Sequence, residues 1–220
     1  GAGRTQVVAR IFRCPTTLPA ANADVTAYRV RNRNSFEYLS HSDLLIAGGR
    51  GPTVLISTID GRHRKISSNL EAILKEQRYV SVLDGVDPSA RMGARDLYFD
   101  ASAGALYLSY VVRSEAGEDC FGLGILRAEI RGDLWDSDFG IQWVPFWATE
   151  ACVQNANTHA AGGRMQKYRE DLLVTIGDFN QHETGDSSLL TGERTEFGKT
   201  FQIQQNGTAK MFSRGHRNPQ

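Results

Sequence analysis

Cysteine is scarce in this chain of 220 residues: Cys14, Cys120 and Cys152 are all there is, and no two of them form a Cys-x-x-Cys pair. That argues against a thiolate zinc site as the organiser of the fold, and it allows at most one intrachain disulfide. If a bridge forms, Cys120 with Cys152 is the favoured pair; the alternative is three buried free thiols, because cysteine packs as a small apolar residue. Charge of one sign is also missing, since 25 Lys and Arg balance 25 Asp and Glu and the pI is about 7.1. Without a basic surplus to neutralise phosphates, no nucleic-acid partner is expected. No run of eighteen apolar residues occurs, so no membrane span is expected. No EF-hand loop or paired-carboxylate cluster stands out, and DLWDSDFG (133–140) reads as a turn, so no all-protein metal site is expected. The six prolines are scattered and no Gly/Ser linker interrupts the pattern, which reads as one structural unit over residues 1–220.

What is present is a near-average globular composition, 40% hydrophobic and 23% charged, in a chain long enough to bury a core without staples. Short β-rich runs separated by Gly, Asp, Asn and Ser dominate. Candidate strands are 6–12, 43–48, 53–59, 79–83, 94–100, 105–112, 122–130, 140–146, 171–177, 198–203 and 209–214, which predicts an all-β fold. In ARDLYFDASAGALYLSYVV, Leu97 and Phe99, then Leu106, Leu108 and Tyr110, alternate around a DASAGA turn, as a hairpin with one buried face requires. The convincing helical stretch is SNLEAILKE (68–76), where Leu70, Ile73 and Leu74 share a face and Ser68 and Glu71 can form a capping box. Many short strands at fairly even spacing suggest a sandwich, a barrel or a propeller. Polar turn, apolar strand and Gly/Arg/Asp-rich loop recur in DLLIAGGRGPTVLISTIDGR, DASAGALYLSYVV and YREDLLVTIGDFN, a loose repetition of the kind propeller blades show, without a WD or kelch signature.

The C-terminal third is more specific. DLLVTIGDFN, GERTEFGKTFQI, an NGT turn and FSRGHRNPQ follow one another. In order and spacing they resemble the strand "LYxTxGD", the "GKxLRI" strand and the "SxGHRNPQGL" loop of the glucose/sorbosone dehydrogenase family. MGARDLYFDASAGALYLSYVV is similar to that family's "GLLGLAFHPDF…LYVSY" hairpin, and GLGILRAEI to the strand after it. The resemblance covers about residues 91–220. It implies a six-bladed β-propeller of which this chain supplies about the first three blades. It also implies a soluble quinoprotein, exported to the periplasm or secreted, that uses pyrroloquinoline quinone (PQQ) to oxidise an aldose at its anomeric hydroxyl. The family's calcium ions belong to segments after the GHRNPQ motif.

Residue by residue, the resemblance implies cofactor-binding roles for Arg217, Asn218 and Gln220. Their chemistry is compatible: a guanidinium fork suits the carboxylates of an acidic quinone, and the two amides both donate and accept. His216, beside an arginine, reads as a packing or hydrogen-bonding histidine. Asp178 of TIGD matches a carboxylate that lines the sugar pocket, and the alternative reading is an Asx-turn that caps the strand. The general base is a histidine in an "HxGGRL" motif, four residues ahead of the arginine, where imidazole titrates near neutrality. Here the stretch is NTHAAGGRMQKY: Gly162, Gly163 and Arg164 match, but His159 lies five residues ahead of Arg164 and the aligned position is Ala160. Two functions follow, a sugar dehydrogenase with His159 and Asp178 as catalytic residues and Arg164 among the cofactor contacts, or a non-catalytic propeller that binds a protein ligand. Half a ring leaves blade faces uncovered, so a C-terminal continuation or another chain is expected to close it.

Overall fold

The computed structural model describes residues 34–48, 53–76, 94–113, 120–154, 160–181 and 195–216. The candidate strands at 6–12 and 79–83 lie outside them.

Three antiparallel sheets follow one another along the chain. The first contains β1 (Asn34–Tyr38), β2 (Asp43–Gly48), β3 (Thr53–Ser57) and β4 (His63–Ser68), and is extended at its edge by β8 (Gly140–Ile141), which pairs parallel to β4. The second is built on β5 (Ala94–Asp100), β6 (Ala105–Arg113) and β7 (Cys120–Glu129), with β9 (Val144–Ala148) and β10 (Val153–Gln154) both on β7. The third is β11 (Gly162–Tyr168), β12 (Asp171–Ile176), β13 (Lys199–Ile203) and β14 (Ala209–Arg214), in that order. The first strands of the three sheets, β1, β5 and β11, lie side by side. That is the radial arrangement of a propeller-like fold.

The β5–β6 hairpin forms in the expected register, with Phe99 opposite Leu106, Leu97 opposite Leu108 and Asp100 opposite Ala105. One expectation needs correction: β6 has two buried faces. Leu106, Leu108 and Tyr110 enter a core shared with Leu45, Leu55 and Ile66 of the first sheet. Tyr107 and Val111 enter a second core shared with Leu172, Val174 and Ile176 of the third. A sheet held between two others reads as a nearly continuous apolar run, ALYLSYVV, in which alternation marks only the difference between the two partners.

The expected single strand at 140–146 is divided. Gly140–Ile141 joins the first sheet and Val144–Ala148 the second, with Trp143 buried between them. Asn69 holds that junction, its amide donating to Trp143 O at 2.9 Å and accepting the Trp143 N–H at 2.8 Å. The single described helix, α1 (Leu70–Glu76), follows Ser68, whose hydroxyl accepts the Leu70 amide at 3.1 Å. Its Leu70 is fully buried against the first core, with Ile73 and Leu74 beside it.

Candidate functional site at one end of the third sheet

Up-and-down connectivity brings β11 and β13 to start, and β12 and β14 to finish, at one edge of the third sheet. Gly162 pairs with Ile176, Ile176 with Lys199 and Lys199 with Arg214. The AAGGR, TIGD, GK and SRGH stretches therefore converge on that edge, although the sequence spreads them over more than fifty positions. Backbone hydrogen bonds stitch the four ends together. Gly177 donates to Ala161 O at 2.8 Å, Phe179 to Ala160 O at 3.1 Å, Gly198 to Gly177 O at 3.3 Å and His216 to Gly198 O at 2.8 Å. The approach at Gly177 is so close that a Cβ there would lie 1.8 Å from Ala160 O, which no side chain tolerates.

Asp178 sits fully buried in the middle of this stitch. Its Oδ1 accepts the Asn180 amide at 2.9 Å, an Asx-turn that bends the chain out of β12. The turn forces Phe179 and Asn180 into left-handed conformation, with φ of 53° and 68°. Asn accepts that conformation readily, whereas for Phe it costs on the order of 1–2 kcal/mol. Phe179 is fully buried and meets Phe197 edge to face at 5.4 Å, and burying such a ring gains roughly 2–3 kcal/mol. Burial therefore outweighs the strain, and the Asp178 backbone is held in one geometry.

Arg164 lies at a β-bulge. Gly163 and Arg164 together oppose Thr175 alone, between the Gly162–Ile176 and Met165–Val174 pairs. Ser109 of the second sheet donates to Gly163 O at 2.6 Å. The Arg164 side chain is 65% exposed and places one guanidinium nitrogen 3.2 Å from Asp96 Oδ1. Asp96 Oδ2 accepts the Met165 amide at 2.8 Å. Burial raises the Asp96 pKa above the ordinary carboxylate value, and the Met165 amide and the Arg164 charge only partly oppose it.

Two groups at this end escape sequence reasoning. Lys199 is fully buried on the face of β13 that carries Ile203, and donates to Phe197 O at 3.0 Å and Thr195 Oγ1 at 3.4 Å. Burial pulls its pKa below the ordinary lysine value; Glu196 opposes the shift and Arg214 adds to it. The signal was available, because KTFQI alternates 199, 201, 203 inward and puts a lysine where an apolar residue belongs. Glu196 reaches back to the second sheet, its carboxylate accepting the amides of Glu150 at 2.8 Å and Ala151 at 3.4 Å. Nothing in the sequence marks that contact.

Past β14 the chain turns at Gly215, with φ of 88° and open space where a Cβ would stand. His216 shares a hydrogen bond of 2.8 Å with the Ser213 hydroxyl, the hydrogen-bonding role expected of it. Of the predicted site residues, the structure places Asp178 and Arg164 at this sheet end. His159, Arg217, Asn218 and Gln220 lie outside the described residues. Cys120 and Cys152 form a disulfide, Cα atoms 5.2 Å apart, at the same end of the neighbouring sheet. Among the described residues no group of three or more His, Cys, Asp or Glu side chains could hold a metal ion, and no helix is long and apolar enough to cross a membrane.

No protein-family model matches the chain, and no curated protein does. Solved structures do. A glucose dehydrogenase aligns with a TM-score of 0.60 and 18% identity over 87% of this chain and 57% of its own length. A second glucose dehydrogenase aligns at 0.58 and 18%, over 87% and 55%. An oxidoreductase described as a glucose dehydrogenase, from Thermus thermophilus, aligns at 0.55 and 18%, over 87% and 53%. The chain spans a little over half the length of these structures. With three consecutive sheets set side by side through their first strands, it has the all-β, propeller-like fold of the glucose dehydrogenases.

Proposed function

We propose that the protein is a PQQ-dependent sugar dehydrogenase built on a six-bladed β-propeller, with residues 1–220 forming about its first three blades as part of one domain. The observation that carries this reading is the convergence of the AAGGR, TIGD, GK and SRGH stretches on one sheet end, stitched by four backbone hydrogen bonds.

The residues present fit an acidic, planar cofactor. Gly215 leaves open space where the last loop departs, and the Arg164 guanidinium, bonded to Asp96 through one nitrogen, is 65% exposed. Arg164, Arg217, Asn218 and Gln220 would hold the carboxylates and carbonyls of such a group. When bound, the quinone supplies the two-electron acceptor. His159 takes the proton from the anomeric hydroxyl of the sugar, and Asp178, fixed by its Asx-turn, orients the substrate side of the pocket. Calcium would be held by segments beyond residue 220. The ring would be closed by a continuation of the chain or by another chain. The disulfide supports an exported, periplasmic or secreted protein, because such bonds persist in oxidising compartments.

The competing reading is a propeller that binds a protein ligand without turnover, and the offset of His159 is what favours it. Titration of the full-length protein with PQQ and calcium, followed by dye reduction with a panel of aldoses, separates the two. The dehydrogenase reading expects saturable quinone binding and aldose-dependent dye reduction, with His159→Ala abolishing turnover and retaining binding. Absence of quinone binding sinks it.

A further inference from the structure

The segment that carries the chain from the second sheet to the third is fastened at the candidate site by contacts outside the four stitched strand ends. Thr149 is fixed to β7, its amide donating to Leu123 O at 3.0 Å and its hydroxyl accepting the Leu123 amide at 3.3 Å. Glu196 accepts the amides of Glu150 and Ala151. The Gln181 side chain donates to Gln154 O at 3.4 Å. Between these points Cys152 is bonded to Cys120, the first residue of β7. Regular strand pairing contributes little: β10 meets β7 only through Val153 opposite Phe121 and Gln154 opposite Cys120. A ladder of two residues is too short to hold a segment by itself.

We propose that the Cys120–Cys152 bridge and Glu196 form a thiol-sensitive clasp that positions the sheet end carrying Ala160, Gly177 and Phe179. Reduction of the bridge loosens that end while the sheets stay folded. Six residues after Gln154 the chain reaches Ala160, whose carbonyl, with that of Ala161, holds the amides of Phe179 and Gly177. On the other side, Glu196 immediately precedes Phe197 and Gly198, which pack against the Asp178 turn through the Phe179 ring and the Gly177 carbonyl. Releasing residues 149–154 removes the fixed point from both arms. The chemistry is an ordinary exchange. Cys120 is buried at 6% exposure and Cys152 is only half-buried, so a dithiol reductant attacks the Cys152 sulfur. The Cys120 thiolate leaves, and the second thiol of the reductant resolves the mixed disulfide. Two electrons and two protons pass from the dithiol to the bridge, giving two cysteine thiols and an oxidised reductant. None of this requires a quinone or a sugar, so failure of PQQ binding would leave the clasp untouched.

The test is hydrogen exchange read by mass spectrometry on the full-length protein, oxidised and after dithiothreitol, with peptides from 53–68 of the first sheet as internal reference. Peptides spanning 160–168 and 172–181 are expected to exchange about tenfold faster after reduction, with the reference unchanged. Cys120→Ser with Cys152→Ser shows the fast exchange without reductant and no response to it. Glu196→Ala speeds the same peptides with the bridge intact, and Glu196→Gln, which keeps one acceptor oxygen, speeds them less. If the double serine variant fails to fold, the reduced wild type and Glu196→Ala decide. Unchanged exchange in 172–181 after reduction, or an equal rise in the reference peptides, overturns the clasp.

Discussion

Asp96 and Asp100 stand four residues apart on the same strand, and each meets a cation from β11, yet their surroundings drive them in opposite directions. At the site end, Asp96 accepts from the Met165 amide and from one nitrogen of an exposed arginine, and burial lifts its pKa. At the far end, Asp100 is also buried, and burial alone would raise it too. There the Ser102 hydroxyl and Lys167 hold its pKa below the ordinary value, with the Ala103 amide helping. Asp100 Oδ1 accepts from the Ser102 amide at 3.0 Å and hydroxyl at 2.6 Å, and both carboxylate oxygens accept from Lys167 Nζ, at 3.0 and 2.9 Å. What decides the sign is the balance between burial and the donors: at Asp96 desolvation outweighs the Met165 and Leu97 amides and the Arg164 charge, and at Asp100 the Ser102 hydroxyl, Lys167 and the Ala103 amide outweigh desolvation. The Asp100 partners sit on the tight DASAGA turn and on a lysine held by both carboxylate oxygens, whereas Arg164 at the site end stays largely in water, where an ion pair gains little.

The site end depends instead on close backbone approach, so the largest effect is expected at Gly177. A methyl group there collides with Ala160 O, and relieving the collision breaks the bonds from Gly177 to Ala161 and from Phe179 to Ala160. Gly177→Ala should lose about 3 kcal/mol of stability, read as a lower denaturant midpoint. An unchanged midpoint would mean that the four strand ends are not locked as described.

Next comes the far end. Asp100→Ala strands the donors of the turn and of Lys167, and should cost about 2 kcal/mol near neutral pH. The acid limb sharpens the comparison. A carboxylate whose folded pKa is depressed adds stability that is present above its unfolded pKa near 3.8 and is lost as pH falls through the folded value. Asp100→Ala should therefore shrink the loss of stability on acidification below pH 3.8 relative to wild type. A wild-type acid limb in the variant would show that Asp100 is not the group responsible.

Asp96 should behave in the opposite sense and by less. With its folded pKa raised, its contribution is fully present below the unfolded value of 3.8 and is lost as pH rises through the folded one. Asp96→Asn keeps the shape, removes the buried charge and releases the exposed arginine, so stability at neutral pH should change by no more than about 1 kcal/mol. Between pH 3.8 and neutrality the variant should lack the decline that wild type shows. Chemical denaturation at several pH values measures both variants, and parallel curves for Asp96→Asn and Asp100→Ala would erase the distinction between the two ends.

The same contrast explains what could be read in the sequence. Where apolar alternation is strong, as in DLLIAG, TVLIS and DLLVTI, strands are found where expected. HRKISS buries only Ile66, and GGRMQKY opens on two glycines and a bulge, so β4 and β11 carry no readable pattern despite being strands. The two-residue strands β8 and β10 are defined by their partners alone. At the site, short motifs placed Asp178 and Arg164 on one sheet end, because a motif ties residue identity to a loop. Glu196 was invisible, since its function is a contact with Glu150 and Ala151, forty-six and forty-five positions away. Such pairs are set by how two sheets stack, which no local pattern encodes.

Lys199 gives the smallest and most discriminating effect, since it is a buried cation at the site end whose desolvation outweighs the charges around it. The Phe197 carbonyl and the Thr195 hydroxyl accept from its ammonium among the apolar residues of β12 and β13. A lysine whose folded pKa is depressed contributes stability that is present above its unfolded value of 10.5 and is lost as pH falls through the folded one. At neutral pH the buried ammonium is therefore a cost, and the wild type should gain stability as pH rises from neutrality toward 10.5. Lys199→Met replaces the chain with an apolar one of similar length, so at neutral pH it should be neutral or stabilising, within about 1 kcal/mol. The variant should also lack the alkaline gain. Should it instead lose stability at neutral pH, the carbonyl and hydroxyl contacts outweigh desolvation, and Lys199 belongs with Asp100 among the well-supplied charges.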